Sequence, residues 1–422
     1  MEEITKFGYH QYNFPEFGMT IKVDRFHESR HELSADVTIE ADLGKHPNLV
    51  HPHVLLQRQN LSGGRAKQTL AKTLEERVAI GEWDGIVELF CTRSIRTYRQ
   101  GAAMVKIGKN PKRKEVPYLL YPVIRKDAPC IIYGAGGIGK SYVSLYFALL
   151  VQYNLSVGRL APQPANVLYL DWESGEDDLN DRLAALSKGL GIEAEINYRY
   201  CHQSLVDDID TIASMIAAED IDLVIVDAKG AAIGGLINEA KETIDMFNAL
   251  RSLHVTSVII DHVSKESAGG PIGSVYNLNE ARNVWEMRAS QAVGSDRSLM
   301  GLYHRKTNVG RRHDSFGLEF VFKDDEKSNI DAVWVSERDP SEEEDTRSGM
   351  DLWQQIEAFL RESIEVGNNG SFEYVPMTIE EVREGIGWDN YATVKTSLSD
   401  KRWNNRLWQH AEKGKYVYLE RS

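Results

Sequence analysis

Residues 134–141 read Gly134-Ala135-Gly136-Gly137-Ile138-Gly139-Lys140-Ser141 and match G-x-x-x-x-G-K-[ST] at every fixed position. An apolar run at 130–133 predicts a buried strand before this stretch, and a second run beginning at Tyr142 predicts a buried helix after it. A glycine-rich loop between a strand and a helix is the context in which the pattern binds phosphate. Glycines let backbone N–H groups and the helix N-terminus approach the anion closely. We therefore expect residues 134–142 to bind ATP, with Lys140 at the β- and γ-phosphates and Ser141 holding Mg²⁺.

Composition and length set the broad class of protein. The chain has 422 residues, which suggests two or three domains, and its 42% hydrophobic and 27% charged residues are ordinary for a soluble protein. The net charge of −14 argues against a basic nucleic-acid coat but leaves room for local basic grooves or a basic ring lumen. No apolar run approaches a membrane span, and the N-terminus lacks a signal-peptide pattern. Three scattered cysteines without a C-x-x-C pair fit a reduced, cytoplasmic protein.

The sequence divides into four regions. Residues 1–117 mix β-like stretches with a helical segment near 66–100 and predict a small α+β domain of unknown role. Residues 118–338 alternate apolar runs with helical patterns, which predicts a parallel α/β sheet. Residues 339–349 are polar and acidic and predict a linker. In residues 350–422, helices are expected at Asp351–Ile364, at Ile379–Gly385 after a Thr378 cap and at Asn390–Arg406; a β-wing at Lys413–Leu419 would complete a winged helix.

Beyond the phosphate loop, hydrolysis needs a second Mg²⁺ ligand, a group that orients water and a cation for the transition state. Asp227 ends the apolar run 223–226, where a Walker B carboxylate is expected. Glu173 follows the predicted strand 167–170 and is the candidate general base, with Asp171 as the competing choice. His262 closes the run 258–260, where a polar side chain can sense the γ-phosphate. A structural role for this histidine stays open.

Five further segments carry a resemblance to a known family. They are VLYLDWESGEDDLNDRLAAL (167–186), LVIVDAKGA (223–231), IIDHVSK (259–265), GSVYNLNEARNVWEMR (273–288) and LYHRKTNVGRR (302–312). Together with the phosphate loop, they make residues 125–325 resemble the RecA-like ATPases, especially the branch with plasmid RepA-type hexameric helicases.

The resemblance implies an enzyme with site roles at matching positions. It implies that Glu173 activates water, that Asp227 handles Mg²⁺ and that Arg305 or Lys306 reaches a neighbouring subunit's ATP site. A solvated basic turn is the alternative for that cationic pair. Ala228-Lys229-Gly230 departs from the usual hydroxyl or proline after the Walker B strand, which leaves the local loop in question.

Candidate DNA contacts lie in two regions. The loop after His262 is glycine-rich, and in RecA-like rings the equivalent loop faces DNA, so Lys265 is a candidate phosphate contact; a passive connection is the alternative. In a helix-turn-helix the second helix enters the major groove and a wing contacts the backbone. The candidates there are Lys395, Lys401, Arg402 and Arg406 on the recognition side and Lys413 and Lys415 at the wing. Winged helices also dock proteins, so that alternative stays open.

These patterns predict an ATP-driven motor on DNA, assembled as a hexameric ring or related homo-oligomer, that serves replication or mobilisation of a plasmid, phage or similar element. The main alternative is an ATP-dependent DNA-binding switch or loader, or the ATPase partner of a nuclease or transposase. A small-molecule kinase is a third and weaker interpretation, since no acceptor site is apparent. Residues 1–117 or the winged helix could bind a protein partner.

Overall fold

A computed structural model of the chain describes residues 1–6, 9–29, 32–100, 117–235, 240–263, 279–308, 310–327, 329–366, 372–412 and 414–419. In chain order it shows an antiparallel sheet with two helices, a large mixed sheet covered by helices, and a small part with three helices and a three-stranded sheet. No helix in the described part of the chain combines the length and the apolar character that a bilayer crossing requires.

The N-terminal part is a five-stranded antiparallel sheet whose strands follow one another in chain order. Its strands are β1 (Glu2–Lys6), β2 (Tyr9–Phe14), β3 (Met19–Ser29), β4 (Glu32–Ala41) and β5 (His53–Asn60), and its helices are α1 (Gly64–Arg77) and α2 (Trp83–Gln100). Alternate residues of β4 are buried, as a sheet with one face on a core requires. The helices close that face, and the hydroxyls of Tyr12 and Ser94 lie 2.9 Å apart between sheet and α2.

The second part contains twelve strands and five described helices. The strands are β6 (Tyr118–Tyr121), β7 (Ile124–Arg125), β8 (Pro129–Gly134), β9 (Ala161–Pro162), β10 (Val167–Asp171), β11 (Asn197–Tyr200), β12 (Leu223–Asp227), β13 (Thr256–His262), β14 (Asn283–Ser290), β15 (Arg297–Thr307), β16 (Phe316–Asp324) and β17 (Ile330–Arg338). The helices are α3 (Lys140–Gln152), α4 (Glu176–Leu190), α5 (Ile209–Ala218), α6 (Lys229–Ala232) and α7 (Ala240–Ser252).

The central sheet has nine strands in the order β11-β10-β12-β13-β8-β14-β15-β16-β17. The first six are mutually parallel, and β15, β16 and β17 continue the sheet in antiparallel fashion. Strands β8, β10 and β12 are buried along their whole length because helices cover both faces. The expected mixed α/β fold with a dominant parallel sheet is confirmed.

The order of the sheet brings the candidate residues to one edge. Carboxyl ends of parallel strands meet at the same edge, where ligands of open α/β sheets bind. Asp171 pairs in register with Asp227, and His262 pairs with Gly134. The loops that follow β8, β10, β12 and β13 therefore converge on the phosphate loop.

The stretch 339–349, predicted to be a polar, acidic linker, contains local structure. It forms a 3₁₀ turn at Pro340–Glu342 and a short helix, α8 (Glu344–Arg347), and the Thr346 side chain is buried. The Thr346 hydroxyl donates to the carbonyl of Pro340 at 2.7 Å, and Asp339 accepts from Arg361 at 2.8 Å. The first bond stabilises the turn within the stretch, and the second connects the stretch to Arg361 in the helix that follows. The stretch is therefore folded, although its composition is typical of a linker.

The C-terminal part contains α9 (Leu352–Glu362), β18 (Ile364–Val366), β19 (Phe372–Tyr374), β20 (Met377–Thr378), α10 (Ile379–Gly385), α11 (Tyr391–Ser399), β21 (Trp408–Glu412) and β22 (Lys415–Tyr418). Helices and hairpin follow the expected order, with the unpredicted pair β18–β19 inserted between α9 and α10. Thr378 caps α10 as expected, accepting from the backbone N–H of Glu381 at 3.2 Å. The winged-helix assignment stays a prediction.

The third helix is shorter than predicted. It was expected to run to Arg406, but α11 ends at Ser399 because Asp400 turns the chain. The Asp400 carboxylate accepts from the backbone N–H of Arg402 at 2.9 Å and also binds the Arg402 guanidinium. Arg402 and Arg406 therefore lie in the turns after the helix and not on its surface.

Candidate nucleotide site

The phosphate loop connects β8 to α3, as the sequence predicts. A side chain at Gly134 would collide with the Met287 carbonyl, since a Cβ there would lie 2.5 Å from that oxygen. Gly139 has a φ of 87°, and a Cβ there would lie 2.5 Å from the Met300 methyl group. Glycine is required at both positions because the loop lies against β14 and β15 and turns through a left-handed conformation.

Lys140 begins α3, and its ammonium group folds back over the loop. It donates to the carbonyls of Gly134 at 3.1 Å and Ala135 at 2.6 Å, and the residue is only 6% exposed. Burial lowers the pKa of Lys140, while the carboxylates of Asp227, Glu173 and Asp261 act in the opposite direction. The charges of the three acids therefore favour the charged form of the lysine.

Ser141 and Asp227 lie together at the expected metal position. The Ser141 hydroxyl hydrogen-bonds to Asp227 and lowers its pKa, although burial raises that pKa by more. Tyr169 donates to the same carboxylate at 2.6 Å. A hydroxyl and a carboxylate beside a phosphate loop fit Mg²⁺, which uses few protein oxygens and completes its shell with phosphate and water. Within the described residues, no cluster of three or more His, Cys, Asp or Glu side chains offers a metal site.

Asp171 and Glu173 have different surroundings. Asp171 is buried, and its carboxylate accepts from the backbone N–H groups of residues 173, 174 and 175 at 2.8–3.0 Å. Its oxygens are thus used to shape the turn after β10. Glu173 is exposed at the tip of that turn and close enough to act electrostatically on Lys140 and Asp227. This geometry favours Glu173 over Asp171 as the group facing the attacking water.

His262 ends β13 beside the phosphate loop. A Cβ at Gly136 would lie 4.0 Å from its Nδ1 atom, and the next residue, Val263, donates its backbone N–H to the Gly134 carbonyl at 3.1 Å. The ring is therefore placed where a γ-phosphate sensor is expected. Lys265 lies outside the described residues.

A buried ion pair next to this site was missed by the sequence interpretation. Lys229 in α6 and Asp261 in β13 are 0% and 1% exposed, and their charged atoms are 3.1 Å apart. Asp261 also accepts from the backbone N–H of His262 at 2.8 Å. The pair therefore connects the loop after the Walker B strand to the strand that carries His262. A lysine in place of the usual hydroxyl or proline after Asp227 was the available signal.

Arg305 and Lys306, the candidate trans fingers, are engaged within their own subunit. Arg305 donates to Glu286 at 2.7 Å and to the Gly349 carbonyl, and it lies 3.6 Å from Asp351. The Lys306 ammonium donates to the Ala281 carbonyl at 2.8 Å. A role in a neighbouring site would require these contacts to break, and it stays a prediction.

The C-terminal DNA candidates differ in their exposure and in their ion pairs. Lys395 and Lys401 are exposed, and so are Arg402 and Arg406. Arg402 is paired with Asp400 at 2.6 Å, and Lys415 with Glu412 at 2.7 Å. Lys413 lies outside the described residues. Thr393, Thr396 and Ser397 of α11 line a cleft toward the central sheet.

Part of the chain matches a known protein family. Residues 102–268 match a protein family described as an AAA domain, a range that holds the phosphate loop, Glu173, Asp227 and His262. This region of the chain is therefore similar to AAA domains. The match covers less than half of the chain and ends before the late strands β14–β17.

Among solved structures, a KaiC-like protein from the hyperthermophilic archaeon Pyrococcus horikoshii is similar, with 14% sequence identity and a TM-score of 0.37. The similar region covers 51% of this chain and 93% of that chain. No curated protein matches the sequence.

Proposed function

We propose that the protein is an ATP-hydrolysing, RecA-like oligomeric motor that acts on DNA, a helicase or translocase of the RepA type. The observation that carries the ATPase part is the convergence of Lys140, Ser141, Asp227 and Glu173 at one edge of the parallel sheet. The motor part is supported by the motif resemblance of residues 125–325 and by the exposed cations of the C-terminal part.

In this mechanism each residue has a defined task. The backbone N–H groups of the phosphate loop and Lys140 hold the phosphates. Ser141 and Asp227 would hold Mg²⁺, which would neutralise phosphate charge. Glu173 orients the attacking water and accepts its proton, while Asp171 holds the turn that presents Glu173. His262 reports the loss of the γ-phosphate to the segment that follows β13.

The second candidate is an ATP-dependent switch, and one observation favours it. Arg305 is held by Glu286 and Asp351 of its own chain, so completion of a neighbouring site requires a rearrangement. A protein that rearranges once per assembly event would use turnover only for release. The motor and the switch then differ in whether ATP turnover continues and produces movement.

Displacement of streptavidin from biotinylated single-stranded DNA separates the two. A motor removes streptavidin from one end of the strand with continued ATP hydrolysis, and Glu173→Gln abolishes this. A switch binds and releases DNA with nucleotide but leaves streptavidin in place at either end. That second result would refute the motor.

A further inference from the structure

A cleft with a volume of about 1520 Å³ lies between the central sheet and the C-terminal part. One wall is formed by β15 and the turn after it, including Arg305 and Arg311. The other is formed by α11 and the turns that follow, including Thr396 and Arg406. Pockets for small molecules are usually about 300–1,000 Å³. The size of this cleft therefore suits a segment of a polymer.

The charge of the cleft is opposite to that of the whole protein. Six arginines line it, namely Arg159, Arg305, Arg311, Arg312, Arg402 and Arg406, against four carboxylates, Asp314, Glu337, Asp351 and Asp400. Each of three carboxylates lies within ion-pair distance of at least one lining arginine. Within the described ranges, the guanidinium groups of Arg311 and Arg406 have no such carboxylate partner, and they lie on opposite walls. In a chain of net charge −14, a basic cleft selects an anionic ligand.

Aromatic side chains accompany these cations. Tyr121 is 39% exposed and packs edge-on against His313, with ring centroids 5.2 Å apart. On the other wall Trp353 and Trp403 stack at 4.2 Å. All four side chains line the cleft. Aromatic surfaces beside a basic groove are the combination that binds single-stranded nucleic acid, because bases stack on the rings while cations contact the phosphates.

Helix α11 contributes hydroxyl groups to the cleft. Its Thr393, Thr396 and Ser397 side chains line the cleft, whose other wall is formed by β15 and the turn after it. A single strand can pass between the two walls and use the hydroxyl groups as phosphate ligands.

We propose that single-stranded DNA binds in this cleft, with Arg311 and Arg406 contacting phosphates and Tyr121 stacking on a base. The inference rests on the proposed function, for which it supplies the strand-binding site. Strand β15 connects this site to ATP, because Met300 packs against Gly139 of the phosphate loop and Arg305, on the same strand, lines the cleft.

The test measures fluorescence anisotropy of a labelled oligothymidylate with the full chain over a range of salt concentrations. Arg311→Glu/Arg406→Glu should raise Kd at least tenfold. The milder Arg311→Gln/Arg406→Gln should lower the slope of log Kd against log salt by about 1.4, which is two contacts at about 0.7 each. Tyr121→Ala should weaken binding without changing that slope. Melting temperatures verify that each variant is folded.

Two comparison variants make the result decisive. Arg65→Glu/Lys72→Glu makes the same charge change on exposed positions of α1 and should change Kd less than twofold. Lys395→Glu/Lys401→Glu alters exposed cations of the C-terminal part that do not line the cleft. Loss of binding in this variant, with none in the cleft variant, would overturn the cleft and leave a DNA motor intact. Failure of the wild-type chain to bind any DNA would overturn both the cleft and the proposed function.

Discussion

Lys229 and Asp261 are the residues whose charges are most completely removed from solvent near the nucleotide site. Burial lowers the pKa of Lys229 and raises that of Asp261, and each partner opposes the shift of the other. Lys229→Met leaves Asp261 buried without its cation, which typically costs about 3–5 kcal/mol of unfolding free energy. Urea denaturation of the nucleotide-free protein measures this loss.

Two further variants separate the buried pair from a general effect of losing a lysine. Lys229→Met/Asp261→Asn should recover most of the stability because no lone charge is left. Lys241→Met removes an exposed partner of Asp245 and should cost about 1 kcal/mol or less. If Lys229→Met itself lowered the free energy of unfolding by only about 1 kcal/mol or less, the proposed cost of leaving Asp261 buried without its cation would be contradicted.

Substitution of Glu173 and substitution of Asp171 should impair the protein in different ways. Glu173→Gln should keep ATP affinity and lower kcat by at least about 100-fold, because a general base contributes about 10²–10⁴ in rate. Asp171→Ala removes the acceptor of three backbone N–H groups and should weaken nucleotide binding and turnover together. Fluorescent-nucleotide titration and steady-state turnover distinguish the two. Wild-type turnover in Glu173→Gln would remove that residue from the mechanism.

At the scale of elements, β14, β15 and the turn after β15 hold a stack of three rings, two of which are histidines. His304 stacks on Trp285 at 4.4 Å and on His313 at 5.4 Å, and it hydrogen-bonds to Asn283 at 2.6 Å. Burial, together with the nearby charges of His313 and Arg312, lowers the pKa of His304 from 6.5 to about 4. The unfolded chain therefore binds a proton between pH 6.5 and 4 that the folded chain does not.

Stability from this histidine is thus complete above pH 6.5 and is lost as the pH falls toward 4. When the pH is lowered from 7 to 5, protonation of His304 in the unfolded chain should by itself reduce the free energy of unfolding by about 2 kcal/mol. His304→Gln keeps a partner for Asn283 and should reduce that loss, whereas the exposed His410→Gln should leave it unchanged. Denaturation midpoints at both pH values measure the difference. Equal losses in wild type and His304→Gln would contradict this assignment.

The elements also show what can be predicted from the sequence. The phosphate loop and its flanking strand and helix were predicted because all their determinants are contiguous in 129–152. Helix α11 was predicted too long, since its end depends on Asp400 capturing the backbone N–H of Arg402. That side-chain bond competes with helix continuation and leaves no periodic signal in the sequence.

Contacts between distant segments could not be predicted from the sequence either, because they form only when the sheet is assembled. Arg305 meets Glu286 because β14 and β15 are adjacent and antiparallel, which places Glu286 opposite Tyr303. A charged hairpin read from the sequence alone looks solvent-facing, so both trans-finger candidates were expected to be exposed. Burial of Lys229 similarly depends on Asp261, 32 positions later in the chain. Only the assembled sheet brings these charges together.

At the scale of the whole molecule, the account predicts ATP sites shared between subunits. Arg305→Ala/Lys306→Ala should lower kcat strongly, as loss of an arginine finger typically costs about 10³–10⁵. Glu173→Gln should also be inactive. Mixtures of the two variants should regain activity, because some interfaces then pair an intact Glu173 with an intact finger. No recovery at any mixing ratio would place Arg305 and Lys306 in a structural role within their own subunit.

The central claim, an ATP-driven motor on DNA, is tested most directly by the steady-state ATP hydrolysis rate with and without single-stranded DNA. The oligomer mass is recorded in the same samples, and Lys140→Ala serves as the inactive reference. We expect an assembled oligomer whose turnover rises several-fold with DNA and is abolished in Lys140→Ala. Slow turnover that ignores DNA, or a Lys140→Ala variant as fast as the wild type, would contradict the claim.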